Sequence, residues 1–145
     1  MRAVVQRAAS GRVLVDGEVV AELGAPGLVV LVGVGHDDGP DDAAQVARKV
    51  ADLRVLRDDR SALEAGAPVL VVSQFTLLAD VRRGRRPSWS AAARGDVAEP
   101  LVDAVVQGLR QRGLRVGTGV FGADMAVELV NDGPVTILLD TRAQH

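Results

Sequence analysis

Along the chain, hydrophobic positions first alternate with polar ones, then run together, then recur at helical spacing. Residues 2–7 (RAVVQR), 12–15 (RVLV) and 18–22 (EVVAE) are short β-rich runs. Asp16-Gly17 joins the last two, and this pair suits a two-residue hairpin loop because both of its positions take positive φ. The chain is therefore predicted to open as a β-meander. GLVVLVGV, residues 27–34, is a nearly unbroken apolar run between glycines, as expected of a strand covered on both faces. Ala43, Val46, Val50 and Leu53 then recur at helical spacing behind Asp41 and Asp42, whose charges favour a helix N-terminus, so an amphipathic helix is predicted over 41–56.

Residues 57–68 (RDDRSALEAGAP) carry turn formers without a clear period and read as loop, and residues 69–77 read as a strand. A second helix is predicted over about 97–112, with Val102, Val105, Val106 and Leu109 as its apolar stripe. Pro100 confines its start to 96–99 and Gly113 is placed to end it. RVGTGVFG (115–122), DMAVELVN (124–131) and PVTILLD (134–140) return to β character. Two main helices against several short strands predict an α+β fold with a largely antiparallel sheet or partial β-barrel. No linker, repeat or low-complexity stretch divides residues 1–145, so a single domain is expected.

Composition narrows the function classes. The 145 residues are 48% hydrophobic and 25% charged, and no apolar run reaches the eighteen or so residues of a membrane span. The N-terminus lacks the apolar core of a secretory leader, so a cytoplasmic location is the default expectation. The absence of cysteine excludes disulfides, thiolate metal sites and cysteine nucleophiles. A net charge of −2 disfavours nucleic-acid binding over the whole surface. Charge is concentrated instead: of seventeen basic residues only Lys49 is lysine, and Arg82, Arg83, Arg85 and Arg86 form one dense cluster. Such a cluster is either a solvated loop or a local anion site of forked guanidinium groups.

Several motifs carry less than they suggest. Gly117, Gly119 and Gly122 stand in G-x-G-x-x-G spacing, but a dinucleotide site needs a helix after the glycines and DMAVELV alternates like a strand. His36 and His145 are the only histidines, too few for a three-histidine zinc site and poorly placed for a serine triad. Asp37, Asp38, Asp41 and Asp42 miss the calcium-loop spacing and fit helix capping better, so no metal or other cofactor is expected. In Ser73-Gln74-Phe75-Thr76, polar groups interrupt an apolar strand; strand alternation would put Ser73 and Phe75 on one face and Gln74 and Thr76 on the other. A strand edge meeting a turn is the simpler reading of that stretch taken alone. NDGPVT, residues 131–136, is a second polar break, with a hairpin turn as its simplest reading.

Taken together, VVSQFTL (71–77), RRGRRPSWS (82–90), GVFGADM (119–125) and VELVNDGPVT (127–136), after the MRAVVQR start, resemble the D-aminoacyl-tRNA deacylases over nearly the whole chain. The resemblance implies a homodimer that hydrolyses the ester linking a D-amino acid to tRNA, and accepts glycine, including glycine mischarged on tRNA-Ala. It places Ser73, Gln74, Phe75 and Thr76 at the reaction centre, facing Gly133, Pro134, Val135 and Thr136 of the other subunit. It also implies a cis Gly133-Pro134 bond whose carbonyls reject an L side chain. Arg7 would hold that motif, and Phe121 and Met125 would wall the terminal adenine. Water assisted by the terminal ribose hydroxyl would attack, with amides near Phe75 and Thr76 stabilising the oxyanion and Thr76 as a covalent nucleophile the minor alternative. Arg82, Arg83, Arg85 and Arg86 would meet the acceptor-stem phosphates. The chain departs from the family in a shorter 57–68 segment without the usual Lys-Met-Asn-like patch, and in Trp89 where phenylalanine is usual. A non-catalytic RNA-binding module and a general small-molecule esterase are the rival readings, and related deacylases that remove a mischarged L-amino acid share the fold.

Overall fold

The computed structural model describes residues 1–143 of the 145. One mixed sheet carries the fold. Its strands are β1 (Arg2–Val15), β2 (Glu18–Glu22), β3 (Gly27–Gly33), β4 (Val69–Ser73), β5 (Val116–Thr118) and β6 (Met125–Asp140). The order is β2-β1-β3-β4-β5, and β6 also pairs with β1. Every pair made by β1 is antiparallel, whereas β3, β4 and β5 run parallel. The sheet curls towards closure: a methyl group added at Gly117 of β5 would stand 3.5 Å from the Ala21 side chain of β2. The expected antiparallel partial barrel is thus present, with a parallel half.

Two expected strand pairs are each one long strand. Residues 2–7 and 12–15 join in β1, and the runs expected at 124–131 and 134–140 join in β6, which begins at Met125. The breaks in their patterns are bulges, which shift the β1–β6 register between Gln6 and Ala8 and between Ala8 and Ser10. The Asp16-Gly17 hairpin forms as expected, with φ of 51° and 79°.

Parallel strands need crossovers, and three helices supply or flank them: α1 (Pro40–Asp52), α2 (Ala62–Ala65) and α3 (Gly95–Gln111). Pro40 opens α1, and the Asp42 carboxylate accepts from the Gly39 N–H at 2.9 Å, the capping role expected of the acidic cluster. Residues 53–56 lie beyond α1, which stops earlier than expected. The segment 57–68 is not a plain loop: a 3₁₀ turn spans Arg57–Asp59, and α2 is closed by a Ser61/Glu64 capping box and by Gly66 at φ 61°. Helix α3 begins two residues before the expected start, with exposed Pro100 inside it.

Helices α1 and α3 pack on each other and on one face of the sheet. Val46, Val50, Val105 and Leu109 meet Leu28, Val30, Val69 and Val71 there. The other face of β3 and β4 turns Val29, Leu70 and Val72 into the barrel interior against Ala8 and Val13. The apolar runs of β3 and β4 are therefore explained by burial on both sides. Both strands end beside one another at Gly33 and Ser73, where the Ser73-Gln74-Phe75-Thr76 stretch begins.

Candidate active site

Strand β4 stops at Ser73, and the expected strand to residue 77 gives way to a 3₁₀ turn over Phe75–Leu78. The cause lies in β3. A side chain at Gly33 would stand 2.6 Å from Leu78 Cδ2 and 2.8 Å from the Gln74 carbonyl oxygen, so the missing Cβ admits the turn. The Gln74 N–H still bonds the Val32 carbonyl at 2.7 Å, but the next two amides leave the ladder. Among the described residues, the N–H groups of Phe75 and Thr76 have no acceptor, as at any helical start. The predicted alternation of faces at Ser73 to Thr76 does not occur.

A cavity of about 440 Å³ opens at this point, lined by Ser73, Gln74, Phe75, Phe121, Met125, one carboxylate, Asp124, and aliphatic side chains behind them. The Gln74 side-chain amide donates to the Thr76 hydroxyl. His36, the only histidine among the described residues, is engaged elsewhere by the Ser90 carbonyl, and His145 lies outside the described residues. Among the described residues, no histidine therefore stands by to take a proton from Thr76. A neighbouring cavity of about 500 Å³ shares Ser73 and Phe121 but is rimmed by Asp96, Glu99 and Asp103, which disfavours a polyanion there. The glycines at 117, 119 and 122 lead through a turn into β6 rather than into a helix, so the nucleotide fingerprint is absent.

Trp89 joins the arginine loop to this mouth. Its ring meets that of Phe75 edge to face, with centroids 5.4 Å apart and planes at 75°. The loop is closed by paired Asp80 and Ser88 backbones, at 2.8 and 2.9 Å. Arg82 forks onto the Asp80 carboxylate at 2.9 and 2.7 Å. Hydrogen bonds from the Arg82 side chain and from its backbone N–H push the Asp80 carboxyl down to about 2. Arg83, Arg85 and Arg86 are exposed and, among the described residues, pair with no carboxylate.

Gly133, Pro134, Val135 and Thr136 are not in this cavity. Gly133, Pro134 and Val135 belong to the wide bulge in which Arg7 alone of β1 faces Asp132 to Val135 of β6, and Thr136 resumes the ladder opposite Gln6. Asn131 replaces the missing ladder there, donating to the Arg7 and Val135 carbonyls at 3.0 Å each, and Thr136 donates to the Gln6 side chain at 3.0 Å. Gly133-Pro134 is cis and exposed, with Gly133 at φ 117°. The half-buried Arg7 guanidinium lies against Gly133, where a Cβ would collide with it, and donates to the Asp132 carbonyl at 3.0 Å. Arg57 forks onto the Asp132 carboxylate at 2.6 and 3.2 Å, and this bond holds Asp132 below the usual carboxylate range. Arg57 and Asp132 had no sequence signal; Arg57 sits in the segment that lacks a period.

The chain matches the family model described as D-Tyr-tRNA(Tyr) deacylase over residues 4–140. The chain belongs to that family. A D-aminoacyl-tRNA deacylase of Kineococcus radiotolerans is 68% identical over 140 residues, covering 97% of this chain and 99% of the relative. One of Beutenbergia cavernae is 67% identical over the same coverage. A solved structure named c-Myc DNA Unwinding Element Binding Protein superposes with a TM-score of 0.90 at 35% identity, covering 99% of this chain and 100% of that one. As a D-aminoacyl-tRNA deacylase the protein is a hydrolase of the aminoacyl ester bond, and the mixed, nearly closed sheet with three helices is the fold of that family. No described helix is long and apolar enough to cross a membrane.

Proposed function

We propose that this deacylase works in the cytoplasm as a symmetric dimer in which the cavity of one subunit is completed by the Gly133-Pro134 bulge of the other. One observation carries the reading: Met125 lines the cavity, whereas Gly133 stands eight residues further along the same strand, roughly 25 Å away at about 3.3 Å per residue. Both cannot reach one aminoacyl group from a single chain. Strand β6 also pairs with β1 alone among the described residues, and it exposes Val130 and Leu138, the latter by 76%. An apolar strand with a free edge favours a second copy.

In the completed site the terminal adenosine lies between Phe121 and Met125, as an unpaired base does on aromatic and apolar walls. The aminoacyl ester lies over the Phe75 and Thr76 amides, which point free of the ladder and stabilise the oxyanion as water attacks. The terminal ribose hydroxyl assists the water. The partner's Gly-Pro carbonyls stand where an L side chain would project, so the L form is rejected by collision whatever its identity. Glycine has no side chain to reject and is also cleaved, including when mischarged on tRNA-Ala.

Subunit mixing tests the shared site. Met125→Arg blocks the cavity, and Gly133→Val crowds Arg7 and displaces the bulge. Each variant alone should lose efficient cleavage of D-tyrosyl-tRNA. After unfolding and refolding together, half the dimers are mixed and carry one fully native site, restoring about one quarter of native activity. No recovery in verified mixed dimers would show that each subunit works alone.

A further inference from the structure

The chain contains only three aromatic residues, Phe75, Trp89 and Phe121, and its fully buried core is aliphatic. All three gather at one mouth. Phe75 and Phe121 line the cavity, while Trp89 packs on Phe75 without lining it. Phe75 is 56% and Trp89 41% exposed, a large apolar surface to leave in water in a chain with so few aromatic rings. Trp89 stands one residue beyond the loop of Arg83, Arg85 and Arg86, whose ends the Asp80–Ser88 pairing holds together. A fixed aromatic face beside unpaired guanidinium groups is the arrangement that captures single-stranded nucleotides: the ring stacks a base and the charges follow the backbone.

We propose that Trp89 is a stacking platform for the unpaired base preceding the terminal adenosine of the tRNA, with Arg83, Arg85 and Arg86 on the phosphates leading away from it. The inference rests on the reading that the cavity takes the aminoacylated adenosine. Trp89 touches the cavity wall at Phe75 from outside, so a strand leaving the cavity on that side meets Trp89 next. The contact lies beyond the reacting ester. It therefore tightens binding of the polynucleotide and leaves the chemical step alone.

Trp89 is the only tryptophan, so its emission reports the contact directly. The dinucleotide CpA should quench that emission saturably, and adenosine monophosphate should not. Trp89→Ala should raise KM for D-tyrosyl-tRNA about tenfold, the order expected for one lost base stack, with kcat preserved. Trp89→Phe should restore KM. Cleavage of 3′-O-(D-tyrosyl)adenosine, which lacks the preceding base, should be the same in all three proteins. Native enzyme that cleaves both substrates while Trp89→Ala leaves both KM values unchanged would overturn the platform alone. So would emission that changes on dilution of the protein but not with CpA, which would assign Trp89 to the contact between subunits. If native enzyme cleaves neither substrate, the deacylase reading fails and the platform with it.

Discussion

Thr76 and Arg57 show how far single side chains decide this site. The Thr76 hydroxyl accepts a hydrogen bond from Gln74, and on the proposed mechanism its contribution to the site is the backbone N–H. Thr76→Ala should keep kcat for D-tyrosyl-tRNA within about tenfold of native, whereas loss of a covalent nucleophile costs on the order of a thousandfold or more. Arg57 acts through Asp132, whose carbonyl also receives Arg7, so the two arginines grip the residue before Gly133 from both sides. Arg57→Ala should lower the ratio of D to L cleavage more than it lowers D cleavage itself, as measured with both tyrosyl-tRNAs. The same grip has a pH sign. Asp132 titrates below its ordinary range because Arg57 bonds its ionised form, so the contact is complete above about pH 4 and is lost as pH falls through the lowered pKa. Discrimination should weaken on acidification in native enzyme and show no such step in Arg57→Ala.

Among the elements, the arginine loop is the one whose role is separable from catalysis. Arg82 is bound to Asp80, which on the proposed reading leaves Arg83, Arg85 and Arg86 to meet phosphate, with Arg83 and Arg86 the outer two. Reversing both to glutamate should weaken tRNA binding and lower the dependence of log affinity on log salt by about two, while the D to L ratio stays unchanged. Affinity that is unchanged across salt concentrations would remove the loop from the tRNA path. How much could be read from the sequence also differs by element. Helices α1 and α3 were legible because each buries one stripe, and β3 was legible because both its faces are covered. Strands β1 and β6 were read as fragments because bulges interrupt alternation without ending a strand. The turn after Ser73 was misread because its cause is Gly33, forty residues earlier on a neighbouring strand. Helix α2 did carry a local signal, the Ser61-x-x-Glu64 capping box and Gly66, within the segment read as loop. The residues placed at the site came from motif resemblance; the grip of Arg57 on Asp132 joins residues 75 apart and has no local pattern.

At the scale of the whole molecule, the sheet separates two half-sites. One end of β6 delivers Met125 to a cavity with free amides, and the bulge towards its other half presents an exposed Gly-Pro pair braced by Arg7. Each half lacks what the other has, and two copies related by a twofold axis would supply both sites at once. On the proposed dimer, stereochemistry is a property of the assembly: the cavity would bind the adenosine and promote hydrolysis, and the opposing bulge would exclude one hand. The most direct test is the release of labelled tyrosine from D-tyrosyl-tRNA and L-tyrosyl-tRNA, side by side, by the purified full-length protein without added metal. Rapid release from the D form with the L form spared is the predicted result. Equal release from both would contradict the excluding wall assigned to Gly133 and Pro134, and release from neither would contradict hydrolysis at this cavity.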